Sequence, residues 1–326
     1  MITRRAYIVL LFSTVLVLSA CGRDRRHRAR HHLTPETEVT PSSPKGHGED
    51  ASSATEIWSE EVFELLAPAM PGYVPSQILE RLGYITSYNH DTKCPNWVAW
   101  HLTKERTDGP FPRKGVPYYD EDGTAIGIGD VTPETQRGDY FLDRESEEPR
   151  QLLTDWPNNE YRMTHGHICP AADNRWSKAA MNQSFLLTNM CPQDGNLNGG
   201  GWQKLEDKCR TWAMQFGGIY IVSGPIYSGG KVSRTIGASK VAVPDAFFKV
   251  VLCLEGTPKA IGFLYKNDSS SQSIKDCVCS VDIVEELTGF DFFYSLSDDI
   301  EDVVESDANL SRDIQLMASN ALRENG

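Results

Sequence analysis

Two histidines flank a glycine in Thr164-His165-Gly166-His167, and Ile168-Cys169-Pro170-Ala171-Ala172-Asp173 follows directly. Further on come Thr188-Asn189-Met190-Cys191-Pro192-Gln193 and Asn196-Leu197-Asn198, with Trp202, Leu205 and Glu206 beyond. An imidazole titrates at about 6.5 when unperturbed, so it can take a proton from water near neutral pH. A carboxamide oxygen and a carboxylate are hard donors, suited to a hydrated divalent cation such as Mg²⁺. A base that activates water, and a cation that neutralises charge developing at phosphorus, are what hydrolysis of a phosphodiester requires. Gly166 lets the backbone approach its neighbours closely and present His167 outward. Asn198 reads on its own as a helix N-cap. Glu206, eight residues on, falls roughly 80° around an α-helix from it and can share its face.

The surrounding chain reads as an α+β domain. Apolar spacing predicts helices over residues 58–66, 178–184, 201–215 and 281–288, and Pro75-Ser76 suggests another helix start. Alternating residues 84–88 and 97–102 around Asp91-Thr92-Lys93 predict a hairpin. Residues 218–222 predict a buried strand ending in a turn at Gly224-Pro225, and 240–243 and 247–254 predict strands parted by Pro244. Residues 105–133, rich in Gly, Pro and Asp, predict a long loop. Strands joined both by hairpins and by helices indicate α+β.

The chain of 326 residues is 40% hydrophobic and 24% charged. That balance excludes a fibrous or wholly disordered protein. The net charge of −13 argues against a protein that simply coats nucleic acid. The charge is unevenly spread, however. Residues 161–240 hold nine Lys or Arg against four acids, whereas residues 282–307 hold ten acids and no base. A locally basic middle is what phosphate handling needs in an acidic chain.

The N-terminus reads as an address. Arg4 and Arg5 precede an apolar run over residues 6–18. The run is shorter than a membrane span, which takes about 20 residues, and suits the apolar part of a signal peptide. Leu18-Ser19-Ala20-Cys21 resembles the bacterial lipobox, in which the Cys is lipidated. Residues 1–20 are therefore expected to be a lipoprotein signal peptide. Cys21 would anchor an exported protein to a membrane, on its periplasmic or cell-surface face. Residues 21–55, basic and then rich in Pro, Ser, Thr and Gly, are expected to be a disordered tether. Residues 56–326 are then a single domain with a core at about 77–305 and an acidic C-terminal segment. An oxidising compartment permits disulfides among the remaining seven cysteines, an odd number that leaves at least one unpaired.

The chain resembles the DNA/RNA non-specific endonucleases, the ββα-metal or His-Me finger nucleases that include mitochondrial endonuclease G. Their pattern of Asp-Arg-Gly-His, Pro-Ala-x-Asp, Phe-x-Leu-(Ser/Thr)-Asn-x-x-Pro-Gln and Leu-Asn-x-x-x-Trp-x-x-Leu-Glu is met here in order. It appears as Thr164-His165-Gly166-His167, Pro170-Ala171-Ala172-Asp173, Phe185 to Gln193, and Leu197-Asn198 through Trp202 to Leu205-Glu206. The resemblance implies a mixed or antiparallel central sheet with flanking helices and a ββα-metal motif. It implies that His167 is the general base, Asn198 the single protein ligand of hydrated Mg²⁺ (Mn²⁺ a possible substitute), and Glu206 the acid that holds the water around that ion. It places Asn189 beside the site, and Arg137, in an Arg-x-x-x-Phe-x-x-Asp stretch with Phe141 and Asp143, on the phosphate. DNA and RNA are the implied substrates.

Two departures stand out. Thr164-His165 replaces the family's usual Asp-Arg, which removes a fixed cation with a planar fork of donors. His165 can donate hydrogen bonds but is cationic only when protonated. Cys169 and Cys191 bracket the site, and their spacing suits a disulfide or buried thiols better than zinc. The alternative to an enzyme is a catalytically impaired surface lipoprotein that binds nucleic acid or a protein partner on the same fold.

Overall fold

A computed structural model describes residues 58–156 and 163–297, together with 300 and 304. The expected signal peptide, Cys21 and the tether lie outside the described residues, as do residues 298–299, 301–303 and 305–326 at the acidic C-terminal end. Helix α1 (Glu60–Leu66) opens the domain, its first turn capped by the Ser59 hydroxyl accepting from the Val62 amide.

Strands β1 (Gln77–Glu80), β2 (Ile85–Asn89) and β3 (Cys94–Thr103) form an antiparallel meander. The helix suggested by Pro75-Ser76 is not there. Gln77–Glu80 is a strand because its backbone is taken up in full register by β2, from Gln77 against Tyr88 to Glu80 against Ile85. Sheet pairing overrides a two-residue cap signal. The 84–88/97–102 hairpin forms as expected, turning through Lys93 at φ 59°.

Strands β4 (Gln136–Arg137) and β5 (Tyr140–Phe141) make a small hairpin, and β6 (Met163–His167) and β7 (Met190–Asp194) another. Helix α2 (Lys178–Gln183) lies between β6 and β7, and α3 (Gln203–Phe216) follows β7. Strand β8 (Gly218–Ile226) does not stop at Gly224-Pro225 as expected. Its pairing with β3 ends at Ser223, and beyond that point the strand is paired only with its later neighbour. There the missing N–H of Pro225 costs no ladder bond on the β3 side. Strands β9 (Arg234–Ile236) and β10 (Val241–Val243) form a third hairpin. Then come β11 (Ala246–Cys253), β12 (Lys259–Lys266), β13 (Val278–Cys279) and helix α4 (Val281–Thr288). Seven of these strands build one wholly antiparallel sheet, in the order β1-β2-β3-β8-β11-β12-β13.

Both faces of the sheet are covered, so its central strands are apolar throughout rather than alternating. Val98, Trp100, Ile221, Phe247, Val251 and Phe263 face one cluster, with Leu205, Cys209 and Trp212 of α3. Trp97, Val222, Phe248 and Val250 face the other, with Leu65, Leu66 and Val284 of α1 and α4. The side of the sheet under α3 is the side that carries the motif residues.

Candidate active site

The motif residues fall on one β-hairpin and the helical segment after it. β6 and β7 pair from Met163 against Asp194 to His167 against Met190. The excursion between them is closed at its base by the Ile168 amide donating to the Asn189 carbonyl at 3.0 Å. Asn189 seals the closure with its side chain. Its Oδ1 accepts from the Cys169 amide, and its Nδ2 donates to the carbonyls of Cys169 and Ser184, all at 2.9 Å. Asn189 is fully buried, so its amide is committed to backbone and holds the residues next to His167 in place. Gly166 is required because the Gln193 side chain lies across it, and an added Cβ would sit 2.5 Å from the Gln193 Cβ.

Past β7 the Asp194 carboxylate caps the next turn, accepting from the amides of Asn196 and Leu197. The backbone then widens into a π-turn over Asn198–Trp202 before α3 begins. The shared helical face expected of Asn198 and Glu206 presumes an uninterrupted α-helix and does not hold across this turn. Three consecutive glycines, residues 199–201, permit it. Gly200 takes up the non-helical angles φ −121°, ψ −107°, and a Cβ on Gly201 would meet the Gln272 carbonyl at 2.5 Å. Asn198 reaches back to the hairpin, its Nδ2 donating to Thr164 Oγ1 at 2.9 Å. One strand, β6, thus carries His167 and touches Asn198. The two points on it lie roughly 10 Å apart along the strand.

His167 is buried, and its Nε2 has no hydrogen-bond partner among the described residues. Phe185 meets its ring edge-to-face, centroids 4.9 Å apart. Burial, then the nearby Arg113 and His165, push its pKa down to about 3, while a hydrogen bond to the His165 backbone pulls the other way. Donation to that carbonyl occupies Nδ1 and leaves the Nε2 lone pair as the free acceptor. An unpaired acceptor in a buried place calls for a proton donor such as water.

His165 is half-buried, with Tyr140 and Trp156 stacked on it, each 3.8 Å between centroids, at 10° and 19°. Two parallel rings at that distance occupy opposite faces, so the imidazole is a filling between them. Burial, followed by Arg137, pushes His165 to about 3, and it is neutral at neutral pH. The ring does not replace the lost guanidinium as a charge.

Two arginines approach, Arg137 from the β4/β5 hairpin and Arg113 from a loop. Arg137 is exposed, donates to the Leu153 carbonyl at 3.3 Å, and bears on His165. Arg113, within the loop expected over residues 105–133, lies over Phe185 at 5.7 Å and bears directly on His167. Sequence reasoning does not single it out. The signal that points to it is Pro110-Phe111-Pro112, a stiffened approach to a single cation.

Glu206 stands on the first turn of α3 over a buried charge network. Burial raises its carboxyl to about 7, the Lys249 charge opposing and the Asp173 charge adding. Asp173 is buried, accepts from Trp100 Nε1 at 3.1 Å and pairs with Arg210 at 2.7 Å. Lys249, fully buried on β11, sits between the rings of Trp100 (4.8 Å) and Trp202 (4.6 Å). Cys169 and Cys191 are buried thiols rather than a disulfide. Asn174 donates to the first, and the second is hydrogen-bonded with Cys94.

Asn198 and Glu206 offer hard oxygen donors, the set that a hydrated divalent cation such as Mg²⁺ takes in preference to softer metals.

The chain is similar to known proteins. A sequence profile described as DNA/RNA non-specific endonuclease matches residues 61–299. A Nostoc nuclease is 31% identical over 240 residues, covering 68% of this chain and 75% of its own. The Xenopus laevis mitochondrial nuclease EXOG is 28% identical over 281 residues, covering 77% and 72%. Human mitochondrial endonuclease G is 30% identical over 197 residues, covering 58% of each. Among solved structures, a chain from one titled as the EndoG/EndoGI complex superposes with a TM-score of 0.56 at 22% identity, covering 76% of this chain and 96% of its own, a shared fold. The chain therefore belongs to the DNA/RNA non-specific endonuclease family, nucleases that hydrolyse phosphodiester bonds.

Proposed function

We propose that this protein is a Mg²⁺-dependent endonuclease of DNA and RNA in which His167 is the general base. The observation that carries the reading is the buried, unpartnered Nε2 of His167 on the strand whose Thr164 holds Asn198. Nε2 accepts a proton from the attacking water. Arg113 meets the charge of the phosphate beside His167, with Arg137 further out. An anionic phosphate placed there also opposes the Arg113 charge, which acts with burial to hold the imidazole neutral, so the base strengthens when substrate is bound. Asn198 would be the single protein ligand of the cation, Mg²⁺ or Mn²⁺ in its place, with Glu206 holding the water around it, and the cation would supply charge neutralisation at phosphorus and at the departing oxygen. Contacts to phosphate carry no base identity, so cleavage is expected with little sequence preference.

The test is a nicking assay on plasmid and on structured RNA, with Mg²⁺ and with chelator. His167→Ala is expected to abolish cutting, and chelator to do the same. Full cutting by His167→Ala overturns the assignment of the base. DNA binding without cleavage across several divalent metals would instead support the surface-binding alternative. The protein is proposed to act outside the cytoplasm, held by lipidated Cys21. A Cys21→Ser chain that still partitions with membranes would remove that anchor from the reading.

A further inference from the structure

Asn198 is useful as a cation ligand only if its carbonyl oxygen, and not its NH₂ group, faces the ion. The two ends of a carboxamide have nearly the same shape, so packing alone chooses poorly between them. The structure contains a chemical selector. Asn198 Nδ2 meets Thr164 Oγ1 at 2.9 Å, and the Thr164 hydroxyl in turn donates to the Gln193 carbonyl at 3.0 Å, across the hairpin from it. A hydroxyl has one proton and two lone pairs. With that proton committed to a carbonyl, which can only accept, Thr164 can offer Asn198 nothing but a lone pair. The NH₂ end must therefore face Thr164, and Oδ1 must turn away from the hairpin.

We propose that Thr164 is a positioning residue, whose hydroxyl, locked by Gln193, orients the Asn198 carboxamide so that its oxygen faces the cation. The inference rests on Asn198 being the ligand in the function proposed above. It also gives a meaning to this chain's departure at position 164. A carboxylate there, as in the family's usual pattern, is acceptor-only and would select the same amide orientation while adding a negative charge. Threonine keeps the orientation and omits the charge. This chain is thus expected to hold its cation more loosely than its own Thr164→Asp form.

Isothermal titration of the full chain with Mn²⁺ reads the effect without relying on turnover. Thr164→Val keeps the shape and removes both hydrogen bonds, and is expected to weaken Mn²⁺ binding about 10-fold, the range seen when a group supporting a metal ligand is lost. Thr164→Ser retains the hydroxyl and should stay within about 3-fold of the parent, and Thr164→Asp should bind more tightly. Thr164 is exposed, so thermal melting of all three should match the parent. Unchanged Mn²⁺ affinity in Thr164→Val, or a loss in Thr164→Ser equal to that in Thr164→Val, overturns the proposal. The underlying ligand reading is checked separately by Asn198→Ala. If that variant binds Mn²⁺ like the parent, Asn198 is no ligand and the failure lies there.

Discussion

Trp156 lies flat on His165, ring centroids 3.8 Å apart and planes 19° from parallel. With Tyr140 on the far face, the imidazole is held as an aromatic ring and not as a charge. His165→Phe should therefore keep nicking within about 3-fold of the parent, whereas His165→Ala should lose about 1–3 kcal/mol of stability, the worth of two stacked pairs. Urea unfolding and plasmid nicking on both variants measure this. A His165→Phe protein as inactive as His167→Ala would mean that the wrong histidine has been named as base.

Burial also sets the acid response. His165 and His167 are each pushed down to about 3 and His101 to about 4, all three by burial first. The unfolded chain titrates near 6.5, so between these values it binds more protons than the folded one. The histidines' contribution to stability is thus full above about pH 6.5 and falls as pH drops toward 3, by up to about 1.4 kcal/mol per pH unit for each, with Glu206, raised to about 7, opposing in part. Denaturation midpoints measured from about pH 7 down to pH 5 should fall steadily, and less steeply in His165→Phe. Identical slopes in the two proteins would show that the sandwiched ring does not titrate on unfolding.

Arg113 and Arg137 are separable by rank. Arg113 bears on His167 and Arg137 on His165. Arg113→Ala should therefore cost about 10²-fold in nicking rate, the usual loss for a group that meets charge in the transition state. Arg137→Ala should cost less. Steady-state rates on one plasmid substrate decide, and the reverse order would return the phosphate contact to Arg137.

Asn189→Ala should damage the enzyme without touching substrate. It leaves the Cys169 amide and the Cys169 and Ser184 carbonyls without their side-chain partner. Buried groups so stranded cost about 1–3 kcal/mol each, not additively. Lower thermal stability together with lower nicking is expected. Loss of nicking at full stability would instead give Asn189 a direct part in the chemistry.

The hairpin around Asp91, the helix at 203–216 and the strand at 246–253 are legible in the sequence because local pattern and tertiary role agree there. Glu80 and Pro225 show where they part. Residues 77–80 are a strand only because β2 supplies a partner, and β8 runs through its proline because its ladder with β3 has stopped at Ser223. Strand β12 escapes a reading by pattern, because Lys259–Lys266, buried on both sides for most of its length, shows no two-residue alternation. At the site, His167, Asn198 and Glu206 are readable from order and spacing, but the π-turn between the last two is not, since a triple glycine signals only freedom. Arg113 is invisible for a different reason. Its importance comes from where a loop of the tertiary fold delivers it, and a lone cation in a loop carries no spacing to read.

The sheet pairs Val98 with Ser223, and β11 must then lie against β8. A ribosome that has already made His167 and Asn198 has not yet made β8, β11 and β12, the floor on which α3 rests. Nucleolytic competence is then a property of the finished polypeptide, and a fragment ending near residue 230 is expected to be inert and easily digested by protease.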